Sequence, residues 1–217
     1  MIFTNIKKND IWQKWQNILP EIEVKWNKIH IKNMRNMNHI DKNENYINKD
    51  FDLNNLVWVN LISVPFGFKQ LFAHVMLEYI FKDDIKLVLS IESRRKPDEF
   101  FSPIKWLFFC YWLIYIWWTY EDLIWLRKNI RKDKVFTYNL KLTKEEIKKS
   151  ILFFIERTNK LIIKPKYYNS IFSNCTTNLW EVFNLKISNI PKKNYQVILN
   201  GNINIYLEKL WYIDKNN

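Results

Sequence analysis

Two side chains in this 217-residue chain have the types and settings that thiol chemistry requires. Cys175 follows Asn174 and precedes Thr176, so it is predicted to lie in the first turn of a helix that Asn174 or Ser173 caps. Unpaired backbone N–H groups and the positive end of the helix dipole stabilise a thiolate there, and they can also stabilise an oxyanion beside the sulfur. Cys175 is therefore the candidate nucleophile.

A histidine should act as the general base, and the chain has three. His30 and His39 flank a polar Asn-rich region, whereas His74 interrupts an apolar segment, where an imidazole must find polar partners. Glu92 ends the next apolar segment and could orient the imidazole. Each residue also has a simpler interpretation: an inert core cysteine, a structural histidine, and a carboxylate in a surface ion pair.

The strands and helices that the sequence predicts form a single α+β domain over residues 1–217, with an antiparallel sheet packed against helices. These elements must position the three candidate residues. Alternating patterns predict strands at 22–26, 29–31, 56–64, 71–81, 85–92 and 134–142, with a hairpin turn at 82–84. Helical spacing predicts helices at 11–19, 121–128, 143–162, 175–182 and 203–213. Thr143 opens the surest of these with capping-box spacing, and residues 33–55 are predicted to be a loop.

Residues 106–118 are thirteen uncharged, strongly aromatic residues. A membrane-spanning helix needs about 20 apolar residues, so this segment is too short to cross a bilayer. It is predicted to be a buried strand, and contact of its Trp and Tyr side chains with a membrane surface is the alternative.

Composition limits the classes of protein. The chain is 48% hydrophobic and contains only two glycines, so it should be globular and cannot carry a glycine-rich nucleotide motif. Its net charge of +12 suits an anionic partner, or reflects lysine-rich composition with no function; nucleic-acid binding would need the lysines on one face and is disfavoured. No metal-ligand spacing is present, two cysteines argue against a disulfide framework, and no cofactor is predicted. Residues 1–8 lack the pattern of a signal peptide, so we expect either an internal location or a chain that begins after a removed export segment.

Seven segments, in order, resemble the Lnb N-terminal periplasmic domain family of the bacterial envelope. They are Trp12 with Pro20, IHIKNMRN at 29–36, FAH at 72–74, SIESRR at 90–95, EDLIWLR at 121–127, residues 153–161, and YYNSIFSNCTT at 167–177. Such domains look similar to circularly permuted papain-like (NlpC-type) thiol hydrolases and acyltransferases, in which the histidine strand precedes the Asn-Cys helix start.

The resemblance implies roles for particular residues. It makes Cys175 the nucleophile, His74 the base and Glu92 the orienting group. Asn174 and Thr176 would shape the turn around the nucleophile, and the candidate substrate-binding residues are Asn174, Thr176, Arg94 and Tyr168. Glu121, Asp122 and Arg127 would form an ion network or a substrate-binding wall.

The function that follows is that of a thiol hydrolase or acyltransferase, acting on an amide, peptide or ester bond in the periplasm or cell envelope through a thioester on Cys175. Peptidoglycan stem peptides, lipoproteins and acyl lipids would all suit a cationic, aromatic-rich and membrane-associated domain. The alternative is a non-catalytic envelope domain that binds lipid or a partner protein. The sequence leaves the substrate and the oligomeric state open.

Overall fold

A computed structural model describes residues 11–37, 39, 45–97, 99, 111–169, 173–183 and 199–214, without the side chains of residues 14 and 181–183. The strands are β1 Glu21–Lys25, β2 Lys28–Arg35, β3 Tyr46–Asp52, β4 Leu56–Phe66, β5 Phe72–Phe81, β6 Lys86–Arg94, β7 Tyr111–Trp118, β8 Phe136–Asn139 and β9 Tyr167–Tyr168. The helices are the π-helix Glu121–Ile130 and the α-helices α1 Lys144–Ile163, α2 Cys175–Phe183 and α3 Ile203–Lys209.

All nine described strands belong to one sheet, with the order β1-β2-β7-β6-β5-β4-β8, and with β3 paired to β2 and β9 paired to β7. The α+β prediction is confirmed. The sheet is mixed rather than purely antiparallel, because β2 and β7 run parallel where Arg35 meets Trp118. The permuted papain-like arrangement and the single-domain organisation remain predictions.

Side chains alternate between the two faces of the sheet, and each face has its own apolar core. On β5, Val75, Leu77 and Tyr79 belong to the larger core, which also contains residues of the three α-helices. Met76 belongs to the smaller core, together with Leu123 of the π-helix. By this alternation His74 projects from the face that the π-helix covers.

The hairpin of β5 and β6 and the helix α1 form as the sequence predicts. Phe81 and Ile85 close the turn between the two strands through an N–H to carbonyl hydrogen bond of 2.8 Å. Thr143 caps α1, with its backbone N–H donating to Glu146 Oε2 at 2.7 Å and its hydroxyl accepting from the Glu146 N–H at 3.3 Å. This reciprocal pair satisfies backbone donors that the first turn leaves unpaired.

Two sequence predictions are wrong. The predicted helix at 11–19 is only a short 3-10 turn at Lys14–Gln16, and Asn9 and Asp10, which were to cap it, lie outside the described residues. The predicted loop at 33–55 contains β3, whose only buried residue is Phe51 in the span 46–52. A strand with so little burial lacks the apolar alternation on which the prediction depended.

The aromatic segment enters the interior of the sheet. Residues 111–118 form β7, in which every residue except Trp112 is buried. The buried-strand prediction is confirmed for these residues, and their burial leaves little surface except at Trp112 for the alternative of membrane contact. Residues 106–110, including Cys110, lie outside the described part of the chain.

Candidate active site

The site lies where β5 and β6 separate. The two strands pair from Ile80 and Lys86 as far as Met76 and Ser90, and β6 then continues beside β7. Residues 72–75 of β5 therefore have no described strand on that side, and the start of α2 occupies the gap. The sulfur of Cys175 lies 3.8 Å from the Ala73 carbonyl oxygen and accepts a hydrogen bond from the Val75 N–H.

Asn200 takes the place of a neighbouring strand along the edge of β5 that faces away from β4. Its side-chain amide accepts from the Ala73 N–H and donates to the Ala73 carbonyl, both at 2.7 Å. The next residue, Gly201, donates its N–H to the Leu71 carbonyl at 3.0 Å. These contacts hold the strand edge that carries the sulfur, and nothing in the local sequence signals them, because the residues they join are more than a hundred positions apart.

The start of α2 confirms the predicted cap. Asn174 Oδ1 accepts from the Thr177 N–H, and the Asn174 N–H donates to Thr177 Oγ1, each at 2.8 Å. The hydroxyl of Thr176 lies 3.9 Å from the sulfur of Cys175 and accepts a hydrogen bond from Asn200. In this structure Asn174 and Thr176 thus shape the turn around the thiol.

His74, Ser90 and Glu92 form a hydrogen-bonded chain on the face that the π-helix covers. His74 Nε2 lies 2.8 Å from Ser90 Oγ and 3.3 Å from Glu92 Oε1, and Ser90 donates to the same carboxylate oxygen at 2.8 Å. The imidazole also hydrogen-bonds with the sulfur of Cys175. Because Nε2 is engaged, Nδ1 is the nitrogen left to serve the thiol. The structure thus brings together the three residues that the sequence singled out.

The ionisation of these groups follows from their mutual charges. Burial alone would lower the pKa of His74, but the Glu92 carboxylate and the hydrogen bonds with Cys175 and Glu92 outweigh it and raise the pKa to about 9. Burial would raise the pKa of the Cys175 thiol, yet the adjacent imidazole and the Val75 N–H lower it overall. Burial likewise opposes ionisation of Glu92, whose pKa the imidazolium lowers overall. The imidazolium and the carboxylate thus stabilise each other's charged forms, and the imidazolium also favours the thiolate form of Cys175.

Tyr168 is brought to the same place by the pairing of β9 with the first residues of β7. Its phenol is buried, and it makes hydrogen bonds with both the backbone N–H and the sulfur of Cys175. Burial and the charge of the thiolate raise the pKa of Tyr168 well above its usual value. The hydroxyl consequently keeps its proton and can donate a hydrogen bond at any working pH.

Arg94 is not directed to the thiol. Its guanidinium donates to the carbonyl oxygens of Gln16 and Asn17 at 2.9 and 2.8 Å and stacks on the Trp12 ring at 4.2 Å. These contacts tie the segment before β1 to β6. The structure gives Arg94 a structural role of this kind, and its role in substrate binding stays a prediction.

The π-helix brings Arg127 close to His74 and Glu92. Asp122 anchors this helix to β2 by accepting two hydrogen bonds from the Arg35 guanidinium, at 2.9 and 3.2 Å. The positive charge of Arg127 adds to the lowering of the Glu92 pKa and opposes part of the rise in the His74 pKa. Asp122 thus belongs to an ion network, as the resemblance implied, whereas Glu121 is exposed.

Fold and site together define an α+β domain that carries a cysteine, histidine and glutamate cluster between a helix start and a strand edge. A family model for the Lnb N-terminal periplasmic domain matches residues 42–201, a range that includes Cys175, His74 and Glu92. The chain belongs to the Lnb N-terminal periplasmic domain family. The match begins after Trp12, Pro20 and residues 29–36, so these parts of the resemblance lie outside it. Searches of curated proteins and of solved structures found no match.

The family name describes a periplasmic domain and so supports a location in the envelope. Among the described residues, none of the helices has the length and apolar character needed to cross a membrane. Within the same residues, no group of three or more His, Cys, Asp or Glu side chains is arranged to hold a metal ion.

Replacing Glu92 by glutamine should lower the pKa of His74 from about 9 towards or below its ordinary value of 6.5, because burial would then act without the opposing carboxylate. Since the imidazole is charged only below its pKa, the pH range in which thiolate and imidazolium coexist shrinks from its alkaline side. Titration of the imidazole signals by NMR measures this shift. The exposed Glu121→Gln variant is the control and should leave His74 unchanged; a His74 pKa that stays near 9 in Glu92→Gln would contradict the assigned role.

Proposed function

We propose that this domain is a thiol hydrolase or acyltransferase that acts on an amide, peptide or ester bond in the cell envelope. The observation that carries the proposal is the position of the Cys175 sulfur. It lies at a helix start, on an unpaired strand edge, beside an imidazole whose far nitrogen contacts Ser90 and Glu92. The same geometry serves papain-type chemistry, in which a base activates the thiol and a third group orients the base.

The reaction begins with the thiolate. The Cys175 sulfur attacks the substrate carbonyl carbon, and a C–S bond forms as the carbonyl oxygen becomes an oxyanion. The imidazolium of His74 then gives its proton to the leaving amine or alkoxide as the C–N or C–O bond breaks, which leaves a thioester. In the second half, water or an acceptor amine loses a proton to the neutral imidazole and displaces the thiolate. Water gives hydrolysis, and an amine gives acyl transfer.

Tyr168 and the backbone at Cys175 supply donors for the oxyanion. The phenol remains protonated and lies against both the N–H and the sulfur of Cys175. An oxygen that develops charge next to the sulfur would displace these contacts and take both donors. Tyr168 is therefore the side chain that we expect to stabilise the oxyanion of the transition state.

The test is acylation of the thiol by p-nitrophenyl acetate in a Cys110→Ala background, with release of p-nitrophenolate and the acyl adduct followed by intact mass. We expect a stoichiometric burst that Cys175→Ala abolishes. Tyr168→Phe should slow acylation by about 10²- to 10³-fold, the usual effect of losing one oxyanion donor.

Alkylation of the thiol forms no oxyanion, so Tyr168→Phe should change the alkylation rate far less than the acylation rate; the phenol affects alkylation only through its hydrogen bond with the sulfur. Circular dichroism verifies that both variants fold. A thiol that is not acylated, in a folded protein, would instead favour a non-catalytic envelope domain that binds lipid or a partner protein.

A further inference from the structure

The turn between β4 and β5 presents an apolar surface directly beside the candidate active site. We define the apolar tip as Phe66, Phe68, Leu71, Phe72 and Leu199. Their exposed fractions are 37, 77, 42, 38 and 42%. Ala73, whose carbonyl lies 3.8 Å from the Cys175 sulfur, is the residue after Phe72. On β5, Phe72 and His74 project from the same face.

The exposure of the apolar tip is built into the backbone. Gln70 and Leu71 donate their N–H groups to the carbonyls of Gly67 and Phe68, each at 3.2 Å. The Gly201 N–H binds the Leu71 carbonyl at 3.0 Å, which fixes the tip to the segment that contains Leu199. The rings of Phe66 and Phe72 stack with centroids 6.0 Å apart. The tip is therefore held outward by hydrogen bonds at its base.

The charges around the apolar tip indicate what covers it. Residues 65–72 contain Lys69 and no acidic residue, and the Lys69 ammonium lies 5.4 Å from the centre of the Phe68 ring. The core of a protein–protein interface is depleted of lysine, whereas phenylalanine beside lysine is the combination that suits the boundary between acyl chains and anionic headgroups. The chain as a whole carries a net charge of +12.

We propose that the apolar tip inserts into the surface of an anionic phospholipid bilayer and holds the Cys175 edge of the sheet against it. Phe68 and Leu71 enter the boundary with the acyl chains, and Lys69 contacts the headgroup phosphates. This docking does not depend on the proposed chemistry, because none of the inserting side chains belongs to the cluster of His74, Glu92 and Cys175.

Co-sedimentation with vesicles tests the proposal, using phosphatidylcholine with phosphatidylglycerol and, separately, phosphatidylcholine alone. The variants are Phe68→Ser, the double variant Phe68→Ser/Leu71→Ser, and Lys69→Glu. Trp26→Ser is the matched control, because Trp26 is 98% exposed but lies at the opposite end of the sheet, next to Asn27, which binds Leu53 just before β4.

We expect the double variant to lower the partition coefficient by about tenfold or more on both vesicles, as the loss of buried apolar surface requires. Lys69→Glu should weaken binding only to the anionic vesicles, and Trp26→Ser should have no effect. Cys175→Ala should bind like the wild type.

Three results would overturn the proposal. The first is a wild type that does not sediment with vesicles. The second is a double variant that sediments as well as the wild type, which shows attraction by overall charge. The third is conversion of a dimer into a monomer by Phe68→Ser, which shows that a second copy covers the tip.

Discussion

Replacing His74 by alanine should greatly lower the reactivity of Cys175 at neutral pH. The thiol is buried, and burial raises its pKa; only the adjacent imidazole and the hydrogen bonds at the strand edge reverse this. Without the imidazole we expect the midpoint of the pH profile for alkylation by iodoacetamide to move to the ordinary thiol range of about 8.5 or above, which leaves a thiolate fraction of a few per cent at pH 7. The measurement uses the Cys110→Ala background and intact mass.

The matched control for this experiment is His30→Ala. His30 pairs with Asp50 on the surface and is 39% exposed, so its loss should leave the alkylation profile of Cys175 unchanged. If His74→Ala reacts with the same profile as the wild type, the imidazole does not activate the thiol. The site would then be a structural one.

Gly201→Ala should destabilise the protein by about 3 kcal/mol or more, a large effect for the replacement of a single hydrogen atom by a methyl group. A Cβ atom at this position would lie 1.8 Å from the carbonyl oxygen of Gln70 and 2.8 Å from the backbone carbon of Leu71. Neither atom can move without opening the edge of β5. The hydrogen bonds of Asn200 with Ala73 and of Gly201 with Leu71 would be lost together.

Gly67→Ala is the matched control, since the chain has only these two glycines. Gly67 has a φ of +78° and a ψ of −173°, a backbone region that glycine almost alone adopts, while a Cβ there would meet Phe72 at an ordinary 3.4 Å. The substitution should therefore cost about 1 to 3 kcal/mol through backbone strain without a steric clash. Chemical denaturation measures both. A Gly201→Ala protein as stable as Gly67→Ala would show that the edge of β5 does not require the close approach.

The sequence predicted those elements whose local patterns agree with their final environment. The strands β5 and β6 carry long apolar runs and meet across a turn, and α1 carries its cap in its own first four residues. By contrast, β3 was missed because its residues are mostly polar and half-exposed. The helix predicted at 11–19 was too long, because helical spacing does not by itself supply packing for a whole helix, and only the 3-10 turn at Lys14–Gln16 forms.

The sequence predicted the reactive groups of the site but not the residues that hold them in place. The three candidate residues stand out because their types are unusual in an apolar segment or at a helix start, and the family resemblance assigns each a role. They are Cys175, His74 and Glu92. Asn200 gave no signal, because an amide that pairs with a strand edge looks like any loop asparagine. Nor did the sequence signal the partners of Arg94, which are the backbone carbonyls of Gln16 and Asn17.

The gap between β5 and β6 has a consequence for the order of folding. The sulfur of Cys175 rests on Ala73, 102 residues earlier in the chain, and Asn200 reaches the same residue across 127. Contacts of such high sequence separation form late, because their loop-closure entropy must be offset by structure already in place. During synthesis His74 and Glu92 emerge long before the cysteine they serve. The thiol therefore acquires its lowered pKa only when the last part of the sheet edge is in place, and an incompletely folded chain carries a cysteine of ordinary pKa.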